Sequence, residues 1–428
     1  MAIYYNPNMQ FSRLAEYFEK LEGTSSRLSL IDILADLFKE VKTSEVAQIS
    51  YLLQGRVAPF YEATEIGMSE KLVAQAMARV YRVDREEILK EYGRVGDLGK
   101  VAERHSGKRS ASRIKQKDSG QARLVSAESE RARMTVEEVF KVLTEIAKTS
   151  GEGTVEKKIN ALAGLLEKMD GISAKHLVRV PLGASRLGIG DPTILDAFAK
   201  LKLGDKSKRK LLEGAYNKVS DLGLIGETLW KEGLEGVEGL DVYVGRPIRS
   251  ELAERLPTAE KVIEKLGEVN AQRKLDGFRV QIHKDGQNVR LFSRNLEETT
   301  LMFPEIVEGA KKQIKVKSAI LDTEAIGFNP TSDEFLPFQE TTQRRRKYGI
   351  EEMAKKIPLK AFVFDVLYWN GKSLIDEVLT ERLKFLKQIV VGETLVPEPG
   401  EMVKDPKKLQ EMLDDSISHG LEGLVVKR

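Results

Sequence analysis

The chain has 428 residues, 69 basic and 66 acidic side chains, a net charge of +3 and no cysteine. That length calls for two or three domains, and the missing cysteine excludes a disulfide scaffold, a thiolate zinc site and a Cys nucleophile. No apolar run approaches the ~18 residues of a membrane span, and the opening MAIYYNPNMQ lacks the charged-then-apolar pattern of a signal peptide; an intracellular protein is expected.

The first half reads as helices. Phe11, Leu14, Phe18 and Leu21 recur at helical spacing, as do Leu28, Ile31, Leu34, Leu37 and Phe38. Ser69 opens a further run through Val80. The Ser-, Gly- and Lys-rich stretch from Gly93 to Val125 predicts a long surface loop. Helical periodicity resumes at Thr135, whose side chain can cap a turn containing Glu137 and Glu138, with Val136, Val139, Phe140, Leu143 and Ile146 as its apolar face. More helices follow to about Trp230. Basic residues cluster in three places: Arg104 to Arg123, Lys200 to Lys210, and Arg344 to Lys347. Together they point to a polyanionic partner.

Near Gly236 the texture changes to the Gly-rich GVEGLDVYVGRPIRS, as in an interdomain connection. Alternating strands follow: Phe278, Val280 and Ile282, then Val289, Leu291 and Phe292, joined by a hairpin turn at Lys284-Asp285-Gly286-Gln287. Later strands are expected at Ala319-Ile320-Leu321, Ala361 to Phe364 and Leu424-Val425-Val426. An all-α domain over 1–235 therefore precedes an α+β domain over 236–428.

The sharpest chemical feature is Lys274, before an Asp276-Gly277 turn and a strand. A nucleophilic Lys must be neutral when it attacks, and nearby cations lower its pKa. Arg273, Arg279 and Arg294 are candidates for that field and for holding phosphates. Glu324 is read just after an apolar strand and Glu422 just before the last one, where a carboxylate can bind Mg²⁺ or a ribose hydroxyl. Phe364 is read in a strand ending at Asp365; a core role and stacking on a purine are both open to it.

Taken in order, Lys274-Leu275-Asp276-Gly277 with Arg279, Ser293-Arg294-Asn295, Asp322-Thr323-Glu324-Ala325, Phe364-Asp365-Val366-Leu367 with Asn370-Gly371, and Glu422 to Lys427 resemble the successive motifs of the covalent nucleotidyltransferases. The helical half narrows the likeness. Gly151 to Leu166, Leu177 to Gly183 and Arg186-Leu187-Gly188-Ile189-Gly190-Asp191 resemble the DNA-binding domain of ATP-dependent DNA ligases of the archaeal and eukaryotic replicative type.

This resemblance implies a helical DNA-binding domain, then an antiparallel-sheet adenylation domain with its ATP cleft between two sheets. It implies that Lys274 attacks the α-phosphate of ATP, that AMP passes to the 5′-phosphate of a nick, and that the 3′-hydroxyl then seals it. Arg279 and Glu324 are expected on the ribose, Arg294 on phosphate, Phe364 on adenine, and Glu324 with Glu422 on Mg²⁺. Asp276 is expected to order the Lys274 turn, with Lys427 in support, while Arg186, Gly188 and Gly190 face DNA. Expected partners are nicked double-stranded DNA and a sliding clamp, the latter through Gln121-Ala122-Arg123-Leu124. The enzyme is expected to be a nucleoid-associated monomer acting in replication, repair and recombination.

Two features depart from the family. Gln272 stands where a Glu usually accepts from the adenine amino group; its oxygen can accept, but its NH₂ could also face an acceptor. The chain also stops at Arg428, where such ligases continue with a lysine-bearing motif and an OB-fold domain. A truncated chain is expected, sealing poorly or acting as a nick-binding module. RNA ligases and mRNA capping guanylyltransferases share the lysine motif, but the helical half argues against both.

Overall fold

The computed structural model describes residues 8–115, 134–332, 334–346, 348–389 and 392–428. The chain separates into two compact units, one helical and running to Leu240, the other α+β and running from Asp241; the short segment Asn217–Ser220 belongs with the second.

The helical unit contains α1 (Phe11–Glu22), α2 (Arg27–Glu40), α3 (Val46–Leu53), α4 (Glu70–Tyr81), α5 (Arg85–Val95), α6 (Leu98–Lys115), α7 (Val136–Lys148), α8 (Thr154–Glu167), α9 (Gly171–Arg179), α10 (Asp191–Leu203), α11 (Arg209–Val219) and α12 (Leu222–Glu238). The apolar faces of α1 and α2 are buried as their periodicity predicts, except Leu28, which is exposed at the start of α2. Thr135 caps α7: its hydroxyl accepts from Glu138 N–H, and the Glu138 carboxylate accepts from Thr135 N–H.

Two expectations are corrected here. Residues 98–115 are helix, not loop. Leu98, Val101, Ala102 and His105 are buried at i, i+3, i+4 and i+7, a helical stripe that the polar composition obscures. The Gly-rich stretch at 236 also begins inside α12, which kinks at Gly233 (φ 72°) and continues because Val237 is buried. The segment 121–124, where a clamp contact is expected, lies outside the described residues.

Buried charge fastens α1, α6 and α9 together. Arg179 donates to Glu22 and to Asp97, and Lys175 pairs with Glu19 at 2.5 Å and Glu22 at 2.9 Å. His176 joins Glu19 at 2.7 Å. Glu19, Glu22 and His176 come close enough to share an ion, but Lys175 and Arg179 already supply the positive charge. The helices cross tightly at Gly99, where a Cβ would lie 2.6 Å from the Lys175 carbonyl.

In the second unit, β1 (Val269–Arg273), β8 (Glu401–Val403) and β9 (Leu424–Lys427) form a small antiparallel sheet in the order β8-β1-β9. A larger sheet has the order β3-β2-β4-β5-β6, from β2 (Phe278–Asp285), β3 (Asn288–Ser293), β4 (Ser318–Gly327), β5 (Leu359–Trp369) and β6 (Lys372–Ser373). It is antiparallel apart from β7 (Leu395–Pro397), which runs parallel to β5. The β2–β3 hairpin turns at Gly286 (φ 58°), with Asp285 opposite Asn288. α13 (Ala259–Leu266) and α15 (Pro406–Ser418) share an apolar cluster with the small sheet; α14 (Pro304–Gln313) covers the large one.

Here too the structure amends the reading. Glu324 lies within β4, not after it, and β5, which holds Phe364 as expected, runs past Asp365 to Trp369. Both strands outrun their apolar cores because their acidic side chains are paired: Asp322 with Arg279 and Asp365 with Arg382. The Arg344–Lys347 block is not a continuous basic surface. Arg344 is fully buried and paired with Glu305, and Arg345 pairs with Glu297.

Candidate active site

Lys274 begins the turn between β1 and β2. Its N–H donates to the Gly423 carbonyl at 2.8 Å, and its own carbonyl accepts from Glu422 N–H at 3.1 Å. This reciprocal pair ties the turn to the one preceding β9. The Lys274 ammonium contacts the Glu422 carboxylate, both side chains half-exposed. Beneath the turn, Leu275 is buried among Ile326, Phe362, Val396 and Leu421. Gly277 presses against β4, where a Cβ would lie 2.3 Å from the Ala325 carbonyl. The Asp276 side chain makes no hydrogen bond among the described residues. Backbone pairing, Leu275 burial and the Gly277 approach therefore order the turn, not Asp276.

The strand registers bring other candidates close. Arg279 lies opposite Glu324 across β2 and β4, and Ser293, next to Arg294, lies opposite Val280. Arg279 donates through Nε and Nη2 to both oxygens of Asp322, a forked pair that fixes its plane. Its guanidinium sits 4.6 Å from the Phe364 ring centroid, and the Lys427 ammonium sits 4.8 Å from the same centroid. A purine stacked on Phe364 would take the place of one of these cations.

Charge in the site is closely balanced. Arg273 is paired with Glu398, Arg279 with Asp322 and Lys274 with Glu422. The expected field of three arginines around Lys274 thus reduces to exposed Arg294, which has no carboxylate partner among the described residues. Glu324 stands apart. Burial pushes its carboxyl up to about 7; Arg279 opposes the rise and Asp322 adds to it. Burial also lowers the Lys427 ammonium, against the pull of Asp365 and Asp322.

Gln272 is buried in β1. Its NH₂ donates to the carbonyls of Phe364 at 2.9 Å and Glu398 at 3.1 Å. Two carbonyl partners identify which end of the amide is nitrogen, so the oxygen is the end left to accept.

The family model for the ATP-dependent DNA ligase domain matches residues 250–428, and the model for the DNA ligase N terminus matches residues 10–199. A probable DNA ligase of Dictyoglomus turgidum is 44% identical over 98% of this chain and 69% of its own length. A DNA ligase of Thermofilum pendens is 38% identical and one of Nitrosopumilus maritimus 37%, each with the same two coverages. The chain belongs to the ATP-dependent DNA ligases. The family drawn from its motif order is therefore the right one, and so is a helical unit followed by an α+β unit.

The sequence reading of this ligase assigns no role to four paired residues. Asp322 holds Arg279, Glu398 holds Arg273, and Asp365 and Arg382 hold each other. Arg382 grips both oxygens of Asp365 at 2.9 Å. Asp322 and Asp365 were visible inside the motifs, but nothing local announces Arg382, paired 17 residues back, or Glu398, paired 125 residues back.

The Gly-rich turn of the ligase's helical unit precedes α10. Arg186 adopts a left-handed backbone (φ 56°) and donates to the Gly96 carbonyl at 2.8 Å. Gly188 has a left-handed backbone (φ 67°) and is exposed, and a Cβ there would meet nothing within 4 Å. Gly190 has an ordinary φ of −121°, so its conformation does not demand glycine.

The Gly277 contact has a direct test. Gly277→Ala forces the Lys274 turn off β4, with an expected loss of about 1–3 kcal/mol, as for overpacking generally. Urea denaturation of wild type and variant measures it; equal midpoints and slopes would refute this account of the turn.

Proposed function

We propose that this ligase seals nicks in double-stranded DNA by three successive transfers, with Lys274 as the nucleophile. The Lys274 Nζ forms a bond to the α-phosphorus of ATP as the bond to pyrophosphate breaks. The adenylyl group then passes to the 5′-phosphate of the nick, and the 3′-hydroxyl displaces AMP. The observation that carries this reading is the backbone pairing of the Lys274 and Glu422 turns beside Arg279, Glu324 and Phe364, in a chain of this family.

Arg279 and Glu324 are assigned to the ribose, Arg294 to phosphate and Phe364 to the purine face. Lys427 supports the same pocket. The Gly-rich turn with Arg186, Gly188 and Gly190 is assigned to DNA phosphates, which backbone N–H groups and a cation can hold without reading sequence. Replication, repair and recombination, in the nucleoid, are the settings we propose.

Glu324 and Glu422 offer hard oxygen donors of the kind Mg²⁺ uses together with substrate phosphates. The upward displacement of Glu324 fits a carboxylate whose charged form lacks a full counter-ion in the protein alone. Mg²⁺ held there would offset charge on the phosphoryl oxygens.

The fixed Gln272 amide supports ATP as the nucleotide. With NH₂ committed to two carbonyls, its oxygen can accept from the adenine 6-amino group but would repel the 6-oxo group of guanine. Incubation with α-labelled ATP or GTP tests both points. ATP is expected to give acid-labile, pyrophosphate-reversible label on the protein, and GTP about 10⁴-fold less, as for a polar site that leaves a buried group unpaired. Equal labelling would remove Gln272 from nucleotide choice, and no label from either would overturn the proposed first step.

A further inference from the structure

The helical unit contains a second basic feature, away from the Gly-rich turn. A cavity of about 830 Å³ is lined by the ends of α2 and α10, the Lys42–Ser44 segment and α12. Four lysines, Lys39, Lys42, Lys202 and Lys231, line it with one acidic residue, Glu227. Glu227 pairs with Lys231, and Lys42 donates to Asn8 at 2.9 Å. Lys39 and Lys202 have no carboxylate partner among the described residues. The hydroxyls of Thr43 and Ser44 add neutral donors.

The aromatic wall narrows the ligand class. Trp230 is packed edge-on by Phe198 at 5.3 Å and tilted against Phe38 at 5.9 Å, while the Lys202 ammonium stands 4.4 Å from its centroid. A ring hemmed in this way anchors the lysine and leaves little room for a base to stack. The cavity suits phosphate oxygens better than a nucleobase.

We propose that this cavity is a phosphate-binding site that holds DNA backbone beyond the Gly-rich turn. The choice of DNA over free pyrophosphate rests on the proposed nick-sealing function. The two features sit at opposite ends of α10, whose length is roughly 20 Å at 1.5 Å per residue. With phosphates about 3.4 Å apart along a strand, that separation spans on the order of six nucleotides.

Trp230 supplies the readout, because the chain has two tryptophans. In a Trp369→Phe background, the remaining emission reports on the cavity. Nicked duplex is expected to change that emission, and Lys39→Gln/Lys202→Gln to reduce the salt dependence of DNA affinity. Each lost phosphate contact is worth about 0.9 in the slope of log K against log salt, so a fall of about 1.8 is expected. Lys39→Arg/Lys202→Arg is expected to keep the wild-type slope.

If pyrophosphate changes the emission, the double Gln variant abolishes the change and DNA affinity is unaltered, the phosphate site stands and its DNA source is wrong. If wild type fails to bind nicked duplex while Lys274 still takes up label, DNA as the occupant falls but the nucleotidyl chemistry does not. If neither ligand perturbs Trp230 and the double Gln variant binds DNA with the wild-type slope, the proposal is overturned.

Discussion

Lys274→Ala is expected to take up no label from α-labelled ATP and to seal no nicks, with a loss on the order of 10⁴–10⁶ as for removal of other covalent nucleophiles. The variant should remain folded. The Lys274–Glu422 pair is half-exposed, and exposed ion pairs contribute about 0–1 kcal/mol. Its neighbours hold the turn without it, through the Gly423 and Glu422 backbone bonds and buried Leu275. Loss of label at an unchanged melting temperature would therefore isolate chemistry from folding. Lys274→Arg keeps the charge but cannot provide a neutral amine, so it is expected to be as inactive as Ala. A Lys274→Ala protein that labelled at the wild-type rate would identify another nucleophile and end the mechanism proposed here.

Label transfer should also respond to Glu422. Its carboxylate contacts the Lys274 ammonium, and the attacking form is the neutral amine. The contact must part before Nζ reaches the α-phosphorus, so the pair seen here describes a resting arrangement.

The sequence made this turn legible because its signals are local. A Lys before Asp-Gly, a strand after it, and further motifs in order require no knowledge of the distant chain. The β2–β3 hairpin was readable for the same reason: a Gly between alternating apolar runs permits the positive φ that the turn uses. Helix 98–115 was missed because polar residues outnumber its apolar stripe, which becomes decisive only when α9 packs against it. Ion-pair partners were harder still. Arg344 looks like surface charge beside Arg345 and Arg346, yet Glu305 draws it fully into the interior. Arg273 and Arg279 read as phosphate ligands, and only the fold shows the carboxylates that occupy them. Composition identifies charged residues; tertiary pairing decides which charges remain available.

Glu324 shows how such a site trades stability for chemistry. Its carboxyl titrates near 7 in the folded protein against an ordinary value of 4.5. Between those values the native state binds more protons than the unfolded state, so stability falls as pH rises through this window. A displacement of that size corresponds to about 3 kcal/mol, fully expressed above pH 7 and absent below about 4.5. Glu324→Gln removes the ionisation while preserving shape. Relative to wild type, the variant is therefore expected to gain stability from pH 5 to pH 8, by up to about 3 kcal/mol, while losing nucleotide transfer if Glu324 holds ribose or Mg²⁺. Thermal or urea unfolding of both proteins at the two pH values measures the first effect, and label uptake the second. A stability difference that did not change with pH would show that Glu324 is already ionised at pH 5. Addition of Mg²⁺ and ATP should narrow the difference at pH 8, because a ligand that favours the carboxylate stabilises wild type by mass action and has less to gain from the neutral amide.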